Sequence, residues 1–238
     1  MGKTTRKKGA ARGNRELPFT LPKVSPAAKR RAGALLAALE EHYPNVECAL
    51  EFSNPHELLI ATILSAQATD VGVNKATPAL FARFPTPADY AAASPEEIEP
   101  YIKSIGLFRN KAKAIHASMT MLVEEFDGQV PQTMEELLTL RGVARKTANV
   151  VLGNAFGIND GFVVDTHIAR LAVRFGLAEK GATVTRIERQ LMALFPRERW
   201  CDLSHMLVWH GRGPCKARGS ACSEHPVCTR FGKCCELR

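Results

Sequence analysis

No stretch of the 238 residues approaches the roughly 20 consecutive apolar positions that a membrane helix requires; the best, Leu58 to Leu64, is far shorter. The basic N-terminus runs into no apolar segment of the kind that makes a secretory signal. These two absences lead us to expect a soluble intracellular protein, cytoplasmic and nucleoid-associated in a bacterium. Sustained alternation of apolar and polar residues is also missing. Val150-Val151 and Val163-Val164 are too short to outweigh the helical patterns around them, which argues against a β fold. Cysteine is scarce through most of the chain: Cys48 stands alone before Cys201, and the other five fall within 215–235. A secreted disulfide protein spreads its cysteines, whereas this crowding reads as a metal site. Acid is nearly absent from residues 1–31, which hold ten Lys/Arg and one Glu, while residues 32–139 hold fifteen acids and six bases. Residues 1–25 are therefore expected to form a flexible basic tail that draws phosphate without reading sequence. Any folded basic face must come from the second half of the chain.

What remains is helical. Apolar residues recur at three and four spacing from Pro26 onward, through Ala34, Leu35, Ala38 and Leu39. Asn54-Pro55-His-Glu57 opens a second helix that is apolar on nearly every side and hence central. A third is predicted over Val71–Arg83. Ser94-Pro-Glu-Glu97 and Thr133-Met-Glu-Glu136 carry the spacing of a capping box. Further helices are predicted over Arg109–Phe126, Arg145–Phe156, Asp165–Phe175, Val184–Phe195 and Trp200–His210. The fold class is all-α, with about ten helices.

Three groups carry chemistry. Leu140-Arg-Gly-Val-Ala144 joins two helices by a tight turn. Backbone N–H groups at such a helix start, here from Gly142, Val143, Ala144 and Arg145, can hold a phosphate without help from a side chain. Lys146, in the first turn of the following helix, sits where the positive end of the helix dipole disfavours the charged ammonium. As a free amine it can attack a sugar carbon and form a Schiff base; equally, it can simply contact phosphate. Asp165 follows the apolar run Phe162-Val-Val164. Its carboxylate can stabilise developing positive charge or cap the next helix, and the two are compatible. His167 reads as a structural hydrogen-bonding residue. Cys215, Cys222, Cys228 and Cys234, with Cys235 adjacent, are separated by six, five and five residues. Four such thiolates can close around a [4Fe–4S] cluster, with zinc the alternative. Lys216 and Arg218, like Arg230 and Lys233, interleave with them as candidate phosphate contacts. Cys48 and Cys201 read as core thiols.

Taken together, Leu64-Ser-Ala-Gln-Ala-Thr-Asp70, Asn74-Lys-Ala76, Ile105-Gly-Leu107, the stretch Leu140–Val151, Val164-Asp-Thr-His167 and His210-Gly-Arg212 with the cysteines beyond it resemble the endonuclease III type of helix-hairpin-helix DNA glycosylase and abasic-site lyase. The resemblance spans about residues 27–235. It implies a two-domain fold: a six-helix bundle over 46–157, and an iron–sulfur domain from 26–45 with 158–238, the DNA lying in the groove between them. It also implies Lys146 as Schiff-base nucleophile, Asp165 as its essential partner, Gln67 as the filler of the space left by a flipped nucleotide, and Leu107 as a wedge in the opposite strand. Cys234 is the implied fourth ligand. The implied activity is removal of oxidised pyrimidines from double-stranded DNA, followed by β-elimination at the abasic site, by a monomer.

The chain departs from the family at Arg141, where Pro is usual, at Ala144, where a second Gly is usual, and at Ser223–Val227, five residues in place of two. Ala144 is expected to change the turn and weaken phosphate binding. Two other functions fit the chain less well. A monofunctional mismatch glycosylase is disfavoured by Lys146; a non-catalytic lesion-binding module is disfavoured by Lys146 with Asp165.

Overall fold

The computed structural model describes residues 16–219 and 221–233, and among these every regular element is helical. They form two compact units, Cys48–Ile158 and, for the described residues, 16–47 with 159–233.

In the first unit, helix α2 (Pro55–Leu64) starts at Asn54, whose side chain accepts from the Glu57 N–H at 3.0 Å. Leu58 through Leu64 are all buried, as expected of a helix with no polar face. Around it stand α3 (Asp70–Arg83), α6 (Phe108–Glu125) and α8 (Arg145–Phe156). Helices α4 (Pro87–Ala92) and α5 (Pro95–Ile102) pack on α6. Leu59, Ile60, Leu80, Ile98, Ile115, Leu122 and Leu152 form the core. Helix α4 escaped the sequence reading, although Thr86 and Asp89 cap it reciprocally. Helix α7 (Met134–Leu137) is shorter than expected: one turn, after which the chain tightens into Leu140.

The second unit joins α1 (Pro26–His42) to α9 (Thr166–Arg174), α10 (Val184–Leu194), a 3-10 turn at Arg197–Arg199, α11 (Trp200–Arg212) and α12 (Pro226–Phe231). Its core holds Leu35, Leu39, Phe162, Phe175, Leu191 and Leu203, and also Cys215 and Cys228. The Arg31 guanidinium donates to the carbonyls of Phe175 at 2.7 Å and Phe231 at 2.5 Å, tying α1 to the ends of α9 and α12. Part of the expected tail belongs to this unit. Leu17, Phe19 and Leu21 pack on its core, and Arg189 lies over the Phe19 ring, 4.5 Å from its centroid. Three apolar residues at alternate positions suffice to dock an otherwise polar segment. Residues 1–15 lie outside the described chain. No described helix is long and apolar enough to cross a membrane.

Candidate functional site

The hairpin between α7 and α8 is anchored from below and open at its tip. Leu140 and Val143 are buried, and the Val143 N–H donates to the Leu140 carbonyl at 3.2 Å. Gly142 takes φ +83°, a left-handed conformation that penalises any side chain. A Cβ there would lie 3.1 Å from the Ala114 Cβ on α6, so the turn needs Gly for close approach as well. Ser118 on α6 donates to the Arg141 carbonyl at 2.7 Å. Ala144 corrects one expectation: at φ −100°, ψ 169° it is ordinary extended backbone, and Ala in place of Gly imposes no strain. It is the N-cap of α8 and brings no side-chain acceptor, so no side chain caps the start of that helix. Arg145 is half-buried and Lys146 is exposed on the first turn, while Ala148 and Asn149 face inward.

Two other exposed tips belong to the same unit. Gln67, in the turn after α2, has φ 55°; Leu107, immediately before α6, has φ 61° and is 59% exposed. Non-glycine residues in this region cost on the order of 1–3 kcal/mol each and persist where the surroundings enforce them. Only Asp127 shares this conformation among the described non-glycine residues. Gln67 and Leu107 are named from the resemblance; the structure places both at exposed turns in the left-handed region. Lys111, which the sequence reading passed over, lies beneath both. It is 5% exposed, and its Nζ donates to the carbonyls of Leu64 at 2.9 Å and Ala66 at 2.7 Å. Burial pushes its ammonium below the usual lysine range. In sequence it sits among Arg109 and Lys113, like any solvated helix face, and only packing reveals it.

In the second unit Asp165 is the N-cap of α9. Its Oδ1 accepts from the Ile168 N–H at 2.8 Å, and the residue is half-buried behind Phe162 and Val164. His167 is a hydrogen-bonding residue, its Nδ1 3.3 Å from Arg170 Nη2.

The cysteine segment forms a tight group of donors. Cys215, Cys222 and Cys228 are buried, with the Cys215 and Cys222 sulfurs 3.3 Å apart. His210, fully buried, places Nε2 3.1 Å from Cys228 Sγ, and its Nδ1 meets the Tyr43 hydroxyl at 3.0 Å. His210, Cys215 and Cys228 present ligand atoms all within 4.8 Å of one another. Arg174 donates from Nη1 to Cys215 Sγ at 3.1 Å and to the Lys216 carbonyl at 2.8 Å; Arg170 donates to the Gly211 carbonyl at 2.8 Å. The Cys215 thiol is held well below its usual range, first by its hydrogen bond with Cys228, while that bond and burial push Cys228 up. Burial first, then the neighbouring Cys228 and Cys215, push Tyr43 up to about 12. Lys216 and Arg218 are exposed beside the buried thiols. Cys234 and Cys235 lie outside the described residues. Cys48 and Cys201 are half-buried rather than fully in the cores: Cys48 lies in the segment between α1 and α2 and packs against the first unit's core, and Cys201 stands on the first turn of α11. Tyr43, Arg170 and Arg174 were not singled out in the sequence; Tyr43 is 172 positions from Cys215 and carries no local signal.

The family model of the HhH-GPD superfamily base excision DNA repair proteins matches residues 60–197. Among curated proteins, endonuclease III of Synechocystis sp. is 54% identical over 196 residues, spanning 82% of this chain and 89% of that one. Endonuclease III of Escherichia coli K12 is 45% identical over 188 residues, 79% and 88% of the two chains. A solved structure described as a trapped endonuclease III–DNA covalent intermediate matches with a TM-score of 0.81 at 40% identity, covering 89% of this chain and 97% of that one. A non-covalent endonuclease III–DNA complex matches with a TM-score of 0.82, also at 40% identity, covering 89% and 96%.

Proposed function

The chain belongs to the endonuclease III family of the HhH-GPD superfamily, and on that premise we propose that Lys146 is its nucleophile and Asp165 the carboxylate partner of that lysine. The protein is a bifunctional base excision repair enzyme, a DNA glycosylase and abasic-site lyase that acts on double-stranded DNA. Oxidised pyrimidines are its proposed substrate class. A base must leave the stack before its sugar can be reached. Gln67 fills the vacated space and Leu107 enters the opposite strand, as side chains inserted between base steps do elsewhere. The hairpin Gly142–Arg145 binds a backbone phosphate through its N–H groups at Gly142, Ala144 and Arg145, with Val143, whose N–H is bonded to the Leu140 carbonyl, closing the turn beneath them; Lys216 and Arg218 add charge for other phosphates.

The chemistry follows from the amine. Lys146 Nζ attacks C1′, the glycosidic bond breaks, and the base leaves with a proton. The sugar ring opens as the amine nitrogen and C1′ form a Schiff base. This linkage acidifies the C2′ hydrogen; its removal expels the 3′ phosphate and cuts the strand. The Asp165 carboxylate stabilises the cationic character that builds up on the sugar and amine. The observation that carries the assignment is an exposed lysine on the first turn of a helix that no side chain caps. Borohydride should trap a covalent adduct between the protein and an abasic duplex, and Lys146→Ala should abolish it. No adduct with the parent chain would sink the lyase assignment.

The buried thiols and imidazole have the donor set of a metal site. We infer that Cys215, Cys222, Cys228 and Cys234 hold a [4Fe–4S] cluster. Cys215, Cys222 and Cys228 are sheltered from water, Cys215 facing the Arg174 guanidinium, and soft sulfur donors so placed suit such a group. With a cluster bound, Cys215 and Cys222 would pin the segment between them, which carries Lys216 and Arg218, and so hold those cations in place. A single zinc ion is the second reading, favoured by the proximity of His210 to Cys215 and Cys228. Protein prepared anaerobically should be brown, with broad visible absorption and matching iron and sulfide. A colourless protein carrying one zinc would replace the cluster with the ion.

A further inference from the structure

The tips at Gln67 and Leu107 are tied to one buried residue. Lys111 is the fourth residue of α6, and its backbone N–H donates to the Leu107 carbonyl at 3.1 Å. Its Nζ reaches the other way, to Leu64 and Ala66 at 2.9 and 2.7 Å, the carbonyls that end α2 and immediately precede Gln67. Both carbonyls are neutral. A buried ammonium is normally kept beside a carboxylate, because an uncompensated charge is costly to desolvate. Carbonyls at a helix C-terminus carry the negative end of its dipole, which supplies the compensation here. They also have few other partners to hold them, since the last carbonyls of a helix lack intrahelical donors.

The turn that Lys111 grips is strained. Gln67 at φ 55° is braced otherwise by backbone bonds that stay inside the turn, Ala66 N–H to Ile63 at 3.4 Å and Ala68 N–H to Ser65 at 3.1 Å. Leu107 at φ 61° is the N-cap of α6 and has no side-chain bond of its own. An apolar residue at 111 would satisfy the packing of α6 but could hold neither the Leu64 nor the Ala66 carbonyl.

We propose that Lys111 is a positioning residue for damage recognition: it couples the Gln67 turn to the Leu107 tip, so that both side chains enter the duplex as one rigid unit. The proposal rests on the reading of Gln67 and Leu107 as the inserted residues. Lys111 takes no part in the bond-making steps, its amine being buried and committed to two carbonyls.

A double-mutant cycle in the full-length protein tests it. The measured quantities are affinity for a duplex with a tetrahydrofuran abasic analogue, affinity for the undamaged duplex, and amide exchange at residues 65–68. Gln67→Ala and Lys111→Met should each weaken lesion binding on the order of tenfold and leave undamaged-duplex affinity unchanged. The double variant should be no worse than the weaker single one. Exchange at 65–68 should quicken in Lys111→Met while the interior of α2 stays protected. Lys111→Arg, which keeps the cation, should recover part of the loss. If Lys111→Met does not fold, Lys111→Gln keeps an N–H donor without the charge and takes its place in the cycle. Additive losses, equal losses on both duplexes, or quickened exchange throughout the unit would reduce Lys111 to a general structural role and overturn the proposal. If Gln67→Ala alone leaves lesion binding intact, the reading of Gln67 is what fails, and the proposal falls with it.

Discussion

Asp165 has one task that the structure shows, as a helix cap, and one that is proposed for it, as partner of the nucleophile; a pair of substitutions can separate them. As N-cap of α9 it needs only an acceptor for the Ile168 N–H, now 2.8 Å away, and an amide oxygen serves as well as a carboxylate. As the partner of the nucleophile it needs negative charge. Asp165→Asn should therefore keep the stability of the parent while cutting single-turnover strand cleavage by about 10²-fold or more, the scale set by losing one preorganised stabilising group. Asp165→Ala should lose the activity and also about 1 kcal/mol of stability through the cap. Thermal melts beside single-turnover rates would decide it. An active Asn variant would leave Asp165 as a cap alone. Gly142 shows the reverse situation, one residue fixed by two constraints that agree. Its φ of +83° strains any side chain and a Cβ there would stand a tight 3.1 Å from the Ala114 Cβ, whereas Ala144 two residues on is under neither constraint. The sequence singled out Gly142 and Ala144 alike as sensitive. Only the backbone angles show that the substitution at 144 is harmless to the turn, because a dihedral at one position depends on how the neighbouring helices close over it.

At the scale of elements, helix starts were the most legible feature. Asn54 and Asp165 cap the helices whose starts were read from them, and Ser94, whose N–H and hydroxyl bond Glu97, opens α5 as expected. A cap is a local interaction spanning three residues, so the sequence contains all of it. The misses have the opposite character. Helix α4 has a legible cap at Thr86 but only one large apolar residue in its body, Tyr90, buried against Phe84 with ring centroids 4.9 Å apart; one residue makes no period. Helix α12, six residues beginning at Pro226, was hidden inside what read as a ligand loop. Of the five residues between Cys222 and Cys228, Pro226 and Val227 belong to this helix, which keeps Val227 and Cys228 buried. Helix α7 ends early because its carbonyls are taken by tighter turns, Thr139 N–H bonding Glu136 at 3.1 Å and Leu140 N–H bonding Leu137 at 3.2 Å. The candidate site divides the same way. Lys146, Gly142 and Asp165 stand in contiguous motifs and could be read; Lys111 (to Leu64), Arg170 and Arg174 (to Cys215) and Tyr43 (to His210) bond residues 41 to 167 positions away, and nothing local announces them.

For the molecule as a whole, charge is the property the sequence states most plainly and the fold uses least. The net +8 is carried by the first 31 residues, which hold ten bases and one acid, while 32–139 is acidic. Residues 16 to 31 are already part of a folded unit, with Leu17, Phe19 and Leu21 packed and Arg31 bonded to two backbone carbonyls. That leaves six bases and no acid in residues 1–15 as charge with no catalytic task assigned to it. Each phosphate neutralised on duplex DNA releases condensed counterions, so affinity should fall with salt in proportion to the number of such contacts. Replacing Lys3, Arg6, Lys7, Lys8, Arg12 and Arg15 with Gln in the full-length chain should lower the slope of log affinity against log salt by up to about five, and weaken binding to damaged and undamaged duplex alike. The rate of strand cleavage at saturating abasic DNA should not change, because the proposed chemistry belongs to Lys146 and Asp165. A collapse of that rate at saturation would place the N-terminal cations in the reaction itself, and an unchanged slope would mean that they meet no phosphate.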